Sequence, residues 1–435
     1  MKKTKKYIFL TLILLLLTSC VLKKNTQNNT SNEPNLIKIT EDYSKELSDG
    51  SYKKNNFFKN FNTESQGSID KKELYQSIDH YRTIVGDFKS IEKVQLTEQS
   101  VLLVLDNEHR KSSEVYTYDN TGKLTNISTF PGSVKKESNK YYSIKPIELY
   151  KDNLIIPGAL TMPKDIENPP IVIMITGLGP YDMDETIGLS GNQPFKDIAI
   201  GLAKNNIASL RYDKSILHGN LKNSIENEYF NDFDAAYNFV KSLNNVDLEN
   251  IYILAHDQGA MLAPTMAKSK NIKGIALMSG SLRSLSDVIF DQNEMLIKQS
   301  NGLSEEDKKK QLDNVLEEVQ KAKSINKNSK EDAFGLKASY WASLNRLNTK
   351  EDILNFSGKL FIMQANNDFQ ILPDRNYYEY IELLSEHENV KFKLFEGLNH
   401  IYSESENNNY DMGIYDKESV VRPDVIDEIS QWINN

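Results

Sequence analysis

Three side chains in the second half of the chain have the types and the order that nucleophilic catalysis requires. They are Asp257, Asp368 and His400, and each follows a short apolar run typical of a buried strand. Because the carboxyl ends of parallel strands meet at one edge of a sheet, we expect these side chains to lie close together. A carboxylate can orient a histidine as general base beside a nucleophile, so the pattern predicts a hydrolytic site. Asp374 is a second candidate for the acid.

The stretch around Asp257 predicts a strand, a sharp turn and a helix. Residues 251–263 are IYILAHDQGAMLA, in which the small residues Ala255 and Gly259 flank the turn. A nucleophile elbow has this architecture, and it usually carries the string G-x-S-x-G. Here Asp257 stands where the serine is expected, which changes the chemistry that the elbow can perform.

A glycine-rich turn completes the predicted site. The string TGLGP at 176–180 follows an apolar run, and backbone amides in such a turn can face a developing oxyanion. We predict that the amides of Leu178 and Gln258 form this oxyanion hole. No ligand cluster with metal spacing and no phosphate-binding loop stands out, so the sequence implies neither a metal nor an organic cofactor.

From residue 144 onward, short apolar runs alternate with helical patterns of ten to fifteen residues. This alternation predicts a mostly parallel sheet with helices on both faces, over residues 145–435. A long insertion at about 283–345 is predicted to be a helical lid, and its charged segment Ser304–Lys323 is predicted to be a helix. Tyr340 and Trp341 in this insertion either line a pocket or pack in the core.

Residues 37–132 predict a small α+β domain. Two helices are predicted at Thr40–Phe61 and Asp70–Val85, and strands at Ile91–Leu96, Ser100–Asp106, Glu114–Asp119 and Lys123–Thr129. His80 and His109 are interpreted as solvated, because neither has a second histidine or a cysteine at metal spacing.

The N-terminus predicts export and lipid anchoring. Four lysines precede an apolar run within residues 1–19, as in a signal peptide, and Cys20 is the only cysteine of the chain. The string LTSC at 17–20 resembles the lipobox of bacterial lipoproteins, which implies an extracytoplasmic protein held on the membrane through lipid on Cys20. Residues 20–36 are predicted to be a flexible tether. The net charge of −9 and the scattered basic residues argue against a nucleic-acid partner.

Residues 146–435 resemble the bacterial carboxylesterase-type α/β-hydrolases of the serine-aminopeptidase-like group. The resemblance rests on GLGP at 177–180, DMDETI at 182–187, LRYDK at 210–214, HDQGAMLAP at 256–264 and DFQ at 368–370. It implies an α/β-hydrolase fold, short acyl esters as substrates, Asp368 as acid, His400 as base and the two amides as oxyanion hole. It does not supply Asp257 as nucleophile. Residues 37–132 resemble the nuclear-transport-factor-like domain of some secreted hydrolases, on VGDF at 85–88 and YDNTGKL at 118–124.

The aspartate leaves three functions open. Hydrolysis of a small carboxylic ester fits the resemblance, but a carboxylate is a weak nucleophile toward an ester carbonyl. Attack on saturated carbon, as in haloalkane dehalogenases and epoxide hydrolases, fits an elbow aspartate, and Tyr340 or Trp341 would then hold the leaving group. A buried ion pair between Asp257 and His400 would instead make the protein a non-catalytic, lipid-anchored binding module.

Overall fold

The structure is a computed structural model that describes residues 33–97, 99–219, 224–407 and 409–435. The predicted signal peptide and Cys20 lie outside these residues. The predicted tether extends to residue 36, but a helix already begins at Glu33, so the end of that prediction is wrong. No helix within the described ranges is both long and apolar enough to cross a bilayer.

The N-terminal part packs helices against a four-stranded antiparallel sheet. The helices are α1 (Glu33–Asp49), α2 (Thr63–Ser68) and α3 (Lys71–Val85), and the strands are β1 (Phe88–Leu96), β2 (Ser100–Asn107), β3 (Arg110–Tyr118) and β4 (Leu124–Val134), in spatial order β1-β2-β3-β4. The single helix predicted over Thr40–Phe61 is wrong. Helix α1 ends before Gly50, which has a φ of 80°, and a short 3-10 turn follows at Phe57–Asn60. The strand predictions agree with the structure to within a few residues.

The second sheet has nine strands. They are β5 (Glu137–Ser138), β6 (Tyr142–Lys151), β7 (Leu154–Pro163), β8 (Ile171–Ile175), β9 (Ala208–Tyr212), β10 (Ile251–His256), β11 (Gly274–Met278), β12 (Lys359–Ala365) and β13 (Val390–Phe395). Their spatial order is β13-β12-β11-β10-β8-β9-β7-β6-β5. Strands β8 to β13 pair in parallel, and β5, β6 and β7 extend the sheet in antiparallel pairs.

Helices cover both faces of this sheet. They are α4 (Pro194–Lys204), α5 (Asn231–Lys241), α6 (Asp257–Ala267), α7 (Leu285–Gln299), α8 (Glu305–Ser324), α9 (Ala338–Leu344), α10 (Thr349–Leu354), α11 (Pro373–Leu383) and α12 (Pro423–Asn434). Ile171 and Ile173 of β8 belong to one core with α5 and α6, whereas Val172 and Met174 belong to another with α4 and α12. A strand buried on both faces reads as a continuous apolar run, which is why the sequence revealed it. The predicted α/β-hydrolase fold, preceded by a small α+β part, is confirmed.

A buried arginine joins the two sheets. Arg110 of β3 is 1% exposed, and its guanidinium reaches Oδ2 of Asp213 at 2.6 Å and Oδ2 of Asp182 at 3.4 Å. Burial, together with the neighbouring Asp184 and Asp213 carboxylates, raises the pKa of Asp182 to about 7 despite the nearby guanidinium. Asp182 lies in the loop after β8, so the arginine fixes the N-terminal sheet against the loop that forms the oxyanion hole.

Candidate active site

Asp257 lies on a sharp turn between β10 and α6, where the sequence predicts the elbow. Its φ is 50°, in the left-handed region that non-glycine residues rarely adopt. The turn is packed tightly, because a Cβ on Gly259 would lie 2.6 Å from the carbonyl oxygen of Thr176. Only glycine fits at that position without a shift of backbone.

The Asp257 carboxylate accepts a hydrogen bond from one of the two predicted oxyanion-hole amides. Its Oδ2 atom lies 2.8 Å from the backbone nitrogen of Leu178. The other predicted amide, that of Gln258, belongs to the first turn of α6, where backbone N–H groups have no acceptor within the helix. The N-terminus of a helix stabilises negative charge. The carboxylate therefore fills a place that a serine would leave to the substrate.

His400 and Asp368 form the predicted acid–base pair. His400 Nδ1 lies 2.8 Å from Oδ2 of Asp368, and Oδ1 of Asp368 accepts from the amides of Gln370 at 2.8 Å and Ile371 at 2.9 Å. Burial opposes ionisation of Asp368, but His400 and the Ile371 amide hold its pKa below the ordinary value. Asp374, the other candidate acid, is exposed in the first turn of α11.

Asp257 and His400 line the same cavity without forming the predicted ion pair. Within the described residues, His400 pairs with Asp368 and Asp257 pairs with the Leu178 amide. Because Nδ1 of His400 is occupied by Asp368, Nε2 remains for a proton from a group in the cavity. The buried ion pair between Asp257 and His400 that the non-catalytic binding module would contain is therefore not formed by these two described residues.

A second histidine lies beneath the site, and sequence reasoning missed its role. Nδ1 of His256 lies 3.0 Å from Oε2 of Glu185, and Nε2 lies 3.0 Å from the carbonyl oxygen of His400. Both ring nitrogens face oxygen acceptors, so both carry protons and the ring is an imidazolium. Burial opposes this charge, but Glu185 outweighs it, with smaller contributions from Asp257 and Asp368, and raises the pKa of His256 to about 9.

Glu185 and Lys214 hold the oxyanion loop from opposite sides. Oε1 of Glu185 accepts from the Gly177 amide at 2.7 Å, whereas Nζ of Lys214 donates to the carbonyl oxygens of Gly177 and Gly179 at 2.7 and 2.9 Å. Both side chains are buried. Both also stand in strings that carry the family resemblance, DMDETI and LRYDK, but no local pattern indicates that the two side chains bond the same loop.

Tyr340 and Trp341 do not line the cavity. The hydroxyl of Tyr340 donates to Oε1 of Gln258 at 2.7 Å, and Nε1 of Trp341 donates to the carbonyl oxygen of Ala333 at 2.8 Å. Both side chains are buried in the core. The pocket-lining alternative for these two residues, and with it their role as leaving-group donors, is wrong.

The cavity in front of Asp257 has a volume of about 250 Å³. Helix α7 of the predicted lid lines it through Leu285, Val288 and Ile289, whereas α8 contributes no lining residue. The N-terminal part also contributes to the lining, through Ser77 and His80 of α3. The interpretation of His80 as simply solvated is therefore wrong. In the described part of the chain, no group of three or more His, Cys, Asp or Glu side chains is arranged to hold a metal ion.

Comparison with known proteins shows similarity to esterases. The chain is similar to Esterase EstD of Thermotoga maritima, with 29% identity over 359 residues, covering 80% of this chain and 84% of EstD. No family model matches. Among solved structures, Est1E from Butyrivibrio proteoclasticus has a TM-score of 0.43 and 16% identity over 67% of this chain and 99% of its own. The Pyrococcus furiosus esterase PF2001 has a TM-score of 0.43 and 12% identity over 70% and 96%.

Proposed function

We propose that this chain, an α/β-hydrolase of esterase-like ancestry, is a hydrolase in which Asp257 attacks a saturated carbon of a small-molecule substrate. The observation that carries the proposal is the hydrogen bond from the Leu178 amide to Oδ2 of Asp257, at 2.8 Å. It leaves Oδ1 as the attacking atom. It also occupies a donor that an ester carbonyl would need, which argues against ordinary attack on carboxylic esters.

The first step transfers an alkyl group to the enzyme. Oδ1 of Asp257 forms a bond to the substrate carbon, and the bond from that carbon to its leaving group breaks, with the electron pair departing on a halide or an epoxide oxygen. The product is an ester of Asp257 whose carbonyl oxygen is Oδ2. That oxygen already accepts from the Leu178 amide.

The second step returns the free carboxylate. Water attacks the ester carbon of Asp257 while Nε2 of His400 takes its proton, and the oxyanion that forms on Oδ2 is stabilised by the Leu178 amide. Collapse releases the alcohol, which takes the proton from His400, and leaves Asp257 as a carboxylic acid. That acid gives its proton to solvent, which is the proton released with a halide or, for an epoxide, replaces the one that the ring oxygen took from solvent in the first step. Asp368 keeps the ring oriented and stabilises its positive charge through the 2.8 Å hydrogen bond to Nδ1. The oxyanion hole thus acts on the enzyme's own ester.

The test is isotope incorporation into the protein. The full chain is incubated in H₂¹⁸O with 1-bromobutane or styrene oxide, with the enzyme in molar excess over the substrate. The mass of the peptide containing Asp257 is then measured by mass spectrometry. We expect one ¹⁸O in that peptide after turnover, and an accumulated alkyl adduct on Asp257 in the His400→Gln chain. Asp257→Asn serves as the matched control of equal size. Turnover with no label in Asp257, or turnover retained by Asp257→Asn, would exclude the nucleophile. If no substrate is turned over and no adduct forms, the binding-module function is favoured.

We also propose that the chain is anchored outside the cytoplasm through lipid on Cys20, and that the N-terminal part is a nuclear-transport-factor-like domain. The support for anchoring is the lysine-rich, apolar start followed by LTSC. The full chain should incorporate labelled palmitate in a bacterial host and partition into detergent on Triton X-114 phase separation. Cys20→Ala should do neither, and equal partitioning of the two chains would contradict the anchor.

A further inference from the structure

We infer that helix α3 of the N-terminal part forms one wall of the substrate site, and that His80 hydrogen-bonds an uncharged, mostly apolar substrate there. This inference rests on the proposed function only in taking the occupant of the cavity to be a substrate. It makes His80 a specificity-determining residue, contributed by the part of the chain in which the sequence shows no catalytic constellation.

The geometry places α3 at the cavity. Ser77 and His80 are three residues apart, so they lie on one face of the helix, and both line the cavity that Asp257 and His400 also line. The neighbouring buried face of α3, which includes Ile78 and Tyr81, packs into the N-terminal part. The helix therefore has one face in its own core and another toward the site.

Two sets of contacts hold this wall in place. The C-terminal turn of α3 approaches the loop after β8, where a Cβ on Gly191 would lie 3.4 Å from the carbonyl oxygen of Thr83. Arg110, on the sheet against which α3 packs, is buried between Asp182 and Asp213. A wall fixed by a buried ion pair keeps its position relative to the oxyanion loop, as a specificity surface requires.

The imidazole of His80 is available to a ligand. Its ring has no hydrogen-bond partner among residues 33–97, 99–219, 224–407 and 409–435. Apart from the backbone bonds of the helix, the bond at this residue goes from the Thr83 hydroxyl to the His80 carbonyl oxygen. Burial lowers the pKa of His80, so the ring is neutral at physiological pH. A neutral imidazole offers one donor and one acceptor, which suits a polar group without charge.

The charges around the cavity disfavour an anion. Among the described residues that line it there is no lysine or arginine, whereas Asp257 and Glu185 carry carboxylates. Among these described lining residues, the side chain held as a cation is His256, and it is hydrogen-bonded to Glu185 and to the carbonyl oxygen of His400. Hydrocarbon side chains form a large part of the remaining lining, including Leu285, Val288 and Ile289 on the lid side. The substrate class that fits is a small neutral molecule with an apolar body and one polar end.

The first test measures the contact between His80 and the substrate in a variant whose turnover does not use Asp257 as nucleophile. In the Asp257→Ser background, p-nitrophenyl esters from acetate to octanoate report KM and kcat for His80→Ala, His80→Gln and, as a matched control on an exposed position of α3, Gln76→Ala. We expect His80→Ala to raise KM about three- to tenfold with little change in kcat, His80→Gln to restore most of it, and Gln76→Ala to change neither. An unchanged KM and chain-length preference in His80→Ala would overturn the contact.

The second test needs no catalysis, so it separates this inference from the proposed function. In the full chain with Cys20→Ala, a single thiol is introduced by His80→Cys or, as control, by Gln76→Cys, and its alkylation by neutral iodoacetamide and anionic iodoacetate is timed. We expect Ile289→Trp, which fills the cavity from α7, to slow alkylation at position 80 about tenfold and not at position 76. The iodoacetate-to-iodoacetamide rate ratio should also be several times lower at 80. Equal behaviour at the two positions would overturn both the wall and the charge preference.

Discussion

Replacing Asp257 by serine should turn the chain into an ester hydrolase. The change removes the carboxylate that accepts from the Leu178 amide and puts a hydroxyl on the same strained turn, beside an intact His400–Asp368 pair. The oxyanion hole then becomes available to a substrate carbonyl. The substitution therefore supplies a nucleophile for ester carbonyls and frees the oxyanion hole for the substrate in one step.

The magnitude follows from the 2.8 Å hydrogen bond between the Leu178 amide and the carboxylate. Displacing an ionised acceptor from such a donor costs about 1.5–3 kcal/mol, and one oxyanion donor stabilises an acyl-transfer transition state by about 2.7–4 kcal/mol. The native chain therefore either bears the first cost or loses the second stabilisation. The smaller of the two, about 1.5–3 kcal/mol, predicts a gain in kcat/KM of at least about 10-fold for Asp257→Ser from the oxyanion hole alone.

The assay is p-nitrophenyl acetate hydrolysis by four chains at equal concentration. Asp257→Asn keeps the size of the side chain and its place at the Leu178 amide but has no nucleophile, so we expect it to be as slow as the native chain. Asp257→Ser should be fast, and Asp257→Ser with His400→Ala should be slow again. The reasoning is refuted if the native chain hydrolyses the ester as fast as Asp257→Ser, or if Asp257→Asn gains activity.

Three further outcomes follow from buried groups. The folded-state pKa of about 9 for His256 lies above the ordinary value near 6.5. The contribution of His256 to stability is therefore complete below about pH 6.5 and is lost as pH rises through about 9. Between about pH 6 and pH 10, the melting temperature should fall more for the native chain than for Glu185→Gln. Arg110→Met leaves buried carboxylates without their cation and should lower the free energy of unfolding by about 3–5 kcal/mol in urea titrations, whereas the exposed Lys111→Met should change it by less than about 1 kcal/mol. Tyr340→Phe removes a core hydrogen bond, so the free energy of unfolding should fall by about 1 kcal/mol. The dependence of turnover on the leaving group should stay unchanged, and a changed dependence would show that Tyr340 acts in the cavity.

Short-range pattern was enough to predict the parallel sheet and the place of the site. Strands buried on both faces are visible as apolar runs, and functional side chains at their carboxyl ends follow from the architecture, so Asp257, Asp368 and His400 were found from position alone. The same reasoning identified the Leu178 amide, because a glycine-rich turn after a strand exposes backbone donors. What it could not indicate is that the Asp257 carboxylate would itself occupy that donor, since this depends on side-chain conformation.

Contacts between distant parts of the chain were out of reach of such patterns. Nothing local to His80 shows that α3 faces a cavity built mainly from residues about a hundred or more positions later. Glu185 and His256 are 71 residues apart, and their pairing depends on how the loop after β8 meets the end of β10. Tyr340 illustrates the reverse error, because an aromatic residue in an insertion has the same appearance in sequence whether it lines a pocket or donates into the core.

The buried contact between Arg110 and Asp213 has a consequence for the order of events during synthesis. The two residues are 103 positions apart, and at about 5–20 residues per second the carboxylate emerges roughly 5–20 s after the guanidinium. During that interval the guanidinium can bond the Gly132 carbonyl oxygen of its own sheet but has no carboxylate partner. We therefore expect the part that is made first to be completed last, with the growing chain waiting in an open state until β9 has joined its sheet.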